Sequence, residues 1–337
     1  MVNVLVTGGA GFIGSNFVRH ALDVHPDWHI TNLDKLTYAG RMETLNDVIE
    51  NPRHTFVHGD VADPVIAAPL VKAAEIVVHF AAETHVDRSI LEAGEFIRTD
   101  IIGTFVLLEA ARAAGGLRRF VQISTDEVYG SVPDGSSVEA DELKPRNPYS
   151  ASKAGADRLA YSYWATYEVP VIVTRASNNY GPYQFPEKVI PLFITNAIDN
   201  IPVPLYGAGL NIRDWLHVMD HCRGLDVAIE RGQPGEVYNI GGGNEVRNVD
   251  LTHALLRLVG RSESLINHIQ DRQGHDLRYS LDTTKMRKLG WTPQVAFDEG
   301  LKDTVKWYRE NEGWWRPIRE RDPAFRAYYQ AQYGSRA

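Results

Sequence analysis

The run Val2-Asn3-Val4-Leu5-Val6-Thr7 breaks directly into Gly8-Gly9-Ala10-Gly11-Phe12-Ile13-Gly14, and this join restricts the fold more than any other stretch of the chain. The apolar run reads as a buried parallel strand, and Phe17, Val18, Ala21 and Leu22 follow at helical spacing. Between them Gly8, Gly11 and Gly14 form a GxxGxxG turn. Such glycines let a pyrophosphate approach a helix N-terminus, where free N–H groups and the helix dipole favour negative charge. A glycine triplet alone is a weak signal, but here a second strand, His29 to Leu33, ends in Asp34, 20 residues past Gly14. An acid at that place holds an adenosine ribose diol and repels a 2′-phosphate, which favours NAD over NADP. Lys35 next to it is the one neighbour that would tolerate the extra phosphate.

The alternation continues through Thr55 to His58, ending near Asp60, which is placed to touch an adenine, and through Glu75 to Phe80, running into Ala81 and Ala82. Small residues at a strand end let the backbone pass close to a flat ligand. His85 reads as a packed loop histidine. One long helix is expected from Phe96 to Ala114, then a strand from Arg118 to Ile123, a polar loop from Ser131 to Pro148 and a helix from Tyr149 to Glu168. A sixth strand spans Val171 to Arg175, and Val237 to Gly241 reads as a strand returning to the same sheet. The fold class is therefore α/β: a Rossmann-type doubly wound parallel sheet with a smaller mixed α/β C-terminal domain. The expected division is residues 1–180 with a return segment near 213–241 for the cofactor, and 181–212 with 242–330 for the substrate. Amphipathic helices are expected at Leu251 to Leu258 and Leu301 to Tyr308, and the aromatic tail with Trp314, Trp315, Tyr328, Tyr329 and Tyr333 reads as a packed or frayed helix.

Ser124-Thr125-Asp126-Glu127 follows the fifth strand, at the end that faces the ligand crevice of such a sheet. Two adjacent carboxylates there would be costly in a purely structural role. Tyr149 and Lys153 stand four residues apart and share a helix face. A phenol is a poor base at neutral pH unless a cation lowers its pKa, and Lys153 is the expected cation.

Composition removes several classes of function. The 337 residues carry 44% hydrophobic and 23% charged side chains, ordinary for a soluble globular protein. A net charge of −8 argues against a nucleic-acid partner, which needs a basic surface. No apolar run is long enough to cross a bilayer, and no basic leader opens the chain, so a cytoplasmic protein without a membrane partner is expected. The single cysteine, Cys222, fits a reducing compartment, and the 12 histidines show no zinc spacing, so no metal is expected.

With these motifs the chain resembles the extended short-chain dehydrogenase/reductases that act on nucleotide sugars, and among them the 4,6-dehydratases, from Gly8 to about Tyr308. The glycine motif and YxxxK belong to the whole superfamily, whereas the adjacent Asp126-Glu127 after Thr125 sets the dehydratases apart from its epimerases and decarboxylases. Leu33-Asp34-Lys35-Leu36-Thr37-Tyr38, Asn178-Asn179-Tyr180-Gly181-Pro182, Glu187-Lys188 and Arg213-Asp214-Trp215 also match. Asp271-Arg272-Gln273-Gly274-His275-Asp276 has Gln273 where the family has proline, and Asn248 is retained. The resemblance implies NAD, dTDP-glucose as substrate and a homodimer built from the Phe96–Ala114 and Tyr149–Glu168 helices. It assigns Tyr149 with Lys153 to oxidation at sugar C4, Thr125 to the same oxygen, Glu127 as base at C5 and Asp126 as acid at C6. For the cofactor it implies Gly8, Gly11, Phe12, Ile13, Gly14, Asp34, Lys35, Leu36, Thr37, Asp60, Val61, Phe80, Ala81, Ala82, Thr84, Thr99, Tyr149, Lys153 and Asn179. For the nucleotide sugar it implies Thr84, Thr125, Asn178, Glu187, Lys188, Pro204, Tyr206, Arg213, Asn248, Arg272 and His275. The competing readings are a 4-epimerase or decarboxylase of the same superfamily and a non-catalytic NAD-binding regulator.

Overall fold

A computed structural model describes residues 1–271 and 274–334. Its centre is a seven-stranded sheet in the order β10-β6-β5-β4-β1-β2-β3, with every pairing parallel. The strands are β1 Val2–Thr7, β2 Trp28–Asp34, β3 His54–His58, β4 Ile76–His79, β5 Arg119–Thr125, β6 Val171–Ala176 and β10 Val237–Ile240. β7 Asn178–Tyr180, β9 Ile212–His217 and β11 Glu245–Arg247 form a second sheet, and β8 Val203–Tyr206 pairs with β12 Ile266–Ile269.

The continuous apolar runs follow from burial on both faces of the parallel sheet. Successive side chains of a strand point to opposite faces, so Val4 and Val6 join one core while Leu5 joins another. The first core is closed by Phe17, Val18 and Ala21 of the Phe12–Val24 helix and by Cys222, Leu225 and Ile229 of the Val218–Arg231 helix. The second is closed by Ala67 and Val71, by Leu107, Leu108 and Ala111, and by Ala160 and Tyr163, from three helices on the other face. A third core gathers Tyr180, Phe193, Trp215, Leu251, Leu255, Leu301, Val305 and Tyr308 away from the main sheet. Trp315 is fully buried in it, and the tail forms two packed helices, Glu312–Arg321 and Pro323–Tyr333.

One element departs from expectation. The long helix foreseen from Phe96 is wound as a π-helix over Ile97–Gly103 before turning α over Thr104–Ala114 and ending at Gly115 with φ of 65°. Thr104 Oγ1 donates to the Asp100 carbonyl at 2.6 Å, and this side-chain bond competes with the regular backbone ladder. Gly103 lies against Val61, where an added Cβ would stand 2.7 Å from Val61 Cγ2. The wide turn brings Asp100, 1% exposed, inward beneath the site described below. Among the described residues, no helix is long and apolar enough to cross a membrane.

Candidate active site

Because all seven strands run the same way, their carboxyl ends open onto one crevice, with β1 flanked by β4 on one side and β2 on the other. A cleft there is lined by Gly8, Gly11, Gly14, Asp34, Asp60, Ala81, Thr125, Asp126, Glu127, Tyr149 and Lys153. Of the cofactor residues expected from sequence, Phe12, Ile13, Lys35, Thr37, Val61, Phe80, Ala82, Thr84, Thr99 and Asn179 line it as well. Leu36 does not. Its side chain packs on the first core, and its backbone, at φ of 54°, donates its N–H to Asp34 Oδ1 at 2.8 Å.

The glycine turn has no room for side chains. At Gly8, with φ of 72°, an added Cβ would lie 2.6 Å from Ala81 N, and at Gly14 it would lie 2.4 Å from the Gly8 carbonyl. Asp34 accepts from Ala10 N and Leu36 N, each at 2.8 Å, and burial raises its carboxyl above the usual range. Lys35 Nζ stands 3.0 Å from Asp60 Oδ2, so its charge is already matched. Ser124 Oγ, Asn178 Oδ1 and His221 Nε2 are buried at the cleft without hydrogen-bond partners among the described residues. A tight glycine cradle, an acid at the second strand end and unsatisfied polar atoms between them are the features a dinucleotide needs.

The acidic turn grows directly out of β5. Thr125 caps a 3₁₀ turn over Asp126–Tyr129: its Oγ1 accepts from Glu127 N at 3.3 Å and donates to Asp126 Oδ1 at 3.1 Å. The turn is braced from behind, where Tyr129 donates to Asn239 Oδ1 at 2.8 Å and accepts from Arg175 at 2.7 Å. Arg175, 1% exposed on β6, also holds Asp157 at 2.8 Å. Asp126 is 2% exposed and its Oδ2 has no hydrogen-bond partner among the described residues. Burial, with Glu127 and Asp214 nearby, lifts its carboxyl well above the ordinary range.

Tyr149 and Lys153 come from the Pro148–Tyr167 helix, which Asn147 starts through a capping box with Ser150. Pro148 sits at the first helical position, where its missing N–H costs nothing. One helical turn separates the two side chains, and both line the cleft. Lys153 Nζ donates to the Ile123 carbonyl at 2.7 Å, and burial lowers its pKa while Asp100 opposes that. Burial first, then Glu127 and Asp100, push the Tyr149 phenol well above its usual pKa. Below the helix, Asp100 accepts from Ser152 at 2.6 Å and from Glu83 N at 2.9 Å. Burial pushes Asp100 up to about 6, and burial with Asp100 pushes Glu83 up to about 7.

A second cavity adjoins the first, and Thr84, Glu127, Asn178, Glu187 and Lys188 line both. Pro204, Tyr206, Arg213, Asn248 and His275 line it as expected. Arg272 lies outside the described residues. Arg213 is buried, donates to the Ile212 and Asp276 carbonyls at 2.7 and 3.0 Å and stacks on Tyr279. Asn248 Oδ1 is buried without a partner among the described residues. Glu187 accepts from Arg88 at 2.9 Å. His85, read as a packed loop residue, is buried against Tyr328 and lines this cavity too.

Several lining residues carried no sequence signal. Glu83, Tyr38, Gln184 and His221 reach the first cleft, and Asp87 and Tyr333 reach the second, each from a loop or helix end placed by the fold. Of these, Tyr38 lies inside a family motif noted above and Tyr333 in the aromatic tail.

A protein-family model described as GDP-mannose 4,6 dehydratase matches residues 5–304. A dTDP-glucose 4,6-dehydratase of Streptomyces antibioticus is 53% identical over 95% of this chain and 96% of its own length. The crystal structure of DesIV, a dTDP-glucose 4,6-dehydratase of Streptomyces venezuelae with NAD and TYD bound, superposes with a TM-score of 0.92 at 52% identity, covering 94% of this chain and 100% of that one. A UDP-glucose 4-epimerase of Thermotoga maritima shares the fold at a TM-score of 0.85 but only 30% identity, over 92% of this chain and 100% of that one.

Proposed function

This chain belongs to the family described as GDP-mannose 4,6 dehydratase, and on that premise we propose that it removes water from dTDP-glucose, forming dTDP-4-keto-6-deoxyglucose, with NAD restored in every turnover. The observation that carries this reading is the buried Asp126 beside Glu127 in the cleft that also holds Tyr149, Lys153 and the glycine turn.

Bound NAD supplies hydride acceptance at sugar C4 and hydride return at C6, together with a positive ring charge in the cleft. Tyr149 takes the proton of the 4-hydroxyl, and Thr125 hydrogen-bonds the same oxygen. Lys153 contributes positive charge on the same helix face. A ketone at C4 acidifies the C5 proton, so elimination across C5–C6 needs one base and one acid on adjacent carbons. Glu127 is the base and Asp126 the acid. The environment of Asp126 supports this order, since a carboxyl kept protonated by burial is ready to donate to a departing hydroxyl.

The second cavity takes the nucleotide diphosphate. Arg213 and Lys188 supply positive charge there, as Arg272 does by the family resemblance, and His275 and Asn248 supply polar contacts. Pro204 and Tyr206 flank the base, while Thr84, Asn178 and Glu187 meet the sugar at the junction. We assign the cofactor to a domain of residues 1–180 with 213–241, and the nucleotide sugar to 181–212 with 242–330. The enzyme works in the cytoplasm as a homodimer. Supporting the dimer, Ile97, Ile102 and Phe105 before and on the Thr104–Ala114 helix, and Tyr161 and Tyr167 on the Pro148–Tyr167 helix, are each 37–49% exposed.

Supplying dTDP-glucose deuterated at C4 tests the reaction. The expected product is a 4-keto-6-deoxy sugar carrying deuterium at C6. Label returned to C4 in a 4-epimer would mark an epimerase instead, and label left unmoved would mark a binding protein.

A further inference from the structure

At the end of the glycine-turn helix away from the cleft, the Phe12–Val24 and Val218–Arg231 helices pack side by side over one face of the sheet, and three donor groups meet at their seam with His20 beside them. His25 Nε2 stands 2.6 Å from Asp226 Oδ1, and His20 Nε2 stands 3.5 Å from Asp226 Oδ2. Glu230 follows Asp226 by one helical turn, so that donor atoms of His25, Asp226 and Glu230 all lie within 4.8 Å of one another. Among the described residues, no other group of three or more such side chains gathers this closely.

The histidines are held in place. The His20 side chain is 10% exposed, and its Nε2 is buried without a hydrogen-bond partner among the described residues. The His25 ring stacks on Trp28 with centroids 3.8 Å apart and planes 7° from parallel. Arg53 donates to the His25 carbonyl at 2.8 Å, fixing the chain where the first helix ends. Asp226 and Glu230 are like charges at i and i+4, an arrangement that destabilises a helix unless something neutralises it.

One imidazole nitrogen and two carboxylates, with water in the fourth place, form a donor set suited to a borderline divalent cation. With bonds of about 2.0–2.1 Å, tetrahedral zinc sets donors roughly 3.4 Å apart. The His25–Asp226 hydrogen bond has only to open by under about 1 Å to reach that spacing, and His20 Nε2 stands 3.5 Å from the other oxygen of Asp226, where it helps to orient the carboxylate. The contrast is His253 with Glu263, a 2.9 Å pair whose side chains are 35% and 70% exposed and which no third donor joins.

We propose that His25, Asp226 and Glu230, with His20 beside them orienting Asp226, bind a divalent transition-metal cation of the zinc class, stapling the far end of the glycine-turn helix to its neighbour. The site is structural and takes no part in turnover. Its effect on folding follows mass action: free zinc at 100 times its dissociation constant shifts the unfolding equilibrium about 100-fold, or about 2.7 kcal/mol.

The test uses full-length protein stripped of metal by a chelator and titrated with zinc chloride. One equivalent should bind at micromolar zinc or below and raise the melting temperature by about 3–5 °C. His25→Gln, Asp226→Asn and Glu230→Gln should each weaken binding at least about tenfold and abolish that rise, whereas His253→Gln should keep both. Cobalt in place of zinc should give the intense visible bands of a tetrahedral ion, lost in His25→Gln. Glu230→Gln changes only an exposed side chain and keeps the comparison readable if a more buried variant does not fold. Absence of saturable binding, or equal binding by all four variants, overturns the proposal.

Discussion

The Asp126 side chain is sealed from water with one oxygen unmatched among the described residues, and burial there, with Glu127 beside it, favours the protonated form. Asp126→Asn preserves the shape and removes the proton donor. The expected outcome is a fall in turnover of at least about 10²-fold, while oxidation at C4 proceeds and the absorbance of reduced nicotinamide accumulates on the enzyme. Unchanged turnover would remove Asp126 from the acid role. Glu83 gives a second prediction, on stability. Its ordinary value is 4.5 and burial, with Asp100 next, pushes it up to about 7. Between those values the folded chain holds a proton that the unfolded chain has released. This contribution is therefore fully present below about pH 4.5 and is lost as pH rises through about 7. Glu83→Gln should flatten that loss, so that unfolding free energies from urea titrations at pH 5 and pH 8 differ less than in the parent by about 1–2 kcal/mol. Identical slopes would assign the loss to other groups.

At the scale of elements, the glycine turn and the cap of the Pro148–Tyr167 helix control how the two halves of the cleft are presented. Gly8→Ala would place a methyl 2.6 Å from Ala81 N in a backbone with φ of 72°. It should cost about 1–3 kcal/mol of stability and weaken NAD binding at least about tenfold, read by calorimetry; an unaltered affinity would deny the turn its role. Asn147→Ala should cost about 1 kcal/mol by thermal or urea unfolding, since it removes the half of the capping box in which Asn147 Oδ1 accepts from Ser150 N. Elements of this kind could be read from the chain because their signals are local: strand, glycine turn, helix and Asp34 occupy a few dozen consecutive residues. The π-helix over Ile97–Gly103 was hidden, since it depends on Thr104 taking the Asp100 carbonyl, which no apolar spacing encodes. Glu83 and Asp100 were hidden for the same reason. His221 reaches Asn179 Oδ1 at 2.9 Å only once β7 and the Val218–Arg231 helix have packed. Lys153 was placed correctly in the cleft, but its partner there is the Ile123 carbonyl, a backbone group that a pattern of side chains does not reveal.

The whole molecule leaves an apolar strip uncovered, with Phe105 43% and Ile102 45% exposed beside the helix that carries Tyr149. Phe105→Glu should convert the proposed homodimer to a monomer by sedimentation velocity; a parent chain that sediments as a monomer would dispose of the pairing. Residues far apart in the chain meet in the second cavity, which Thr84 and Tyr333 both line, so truncation after Arg321 should raise KM for dTDP-glucose several-fold with a smaller change in kcat. Arg175 ties these scales together. Through one guanidinium it joins β6, the Pro148–Tyr167 helix and the turn that bears Asp126 and Glu127. An inherited change at this buried position would strike shape and chemistry at once, since one uncompensated ion beneath the sheet both loosens the scaffold and lets the acids drift. Variants there would be recorded as inactive enzymes although nothing that meets the sugar had been altered.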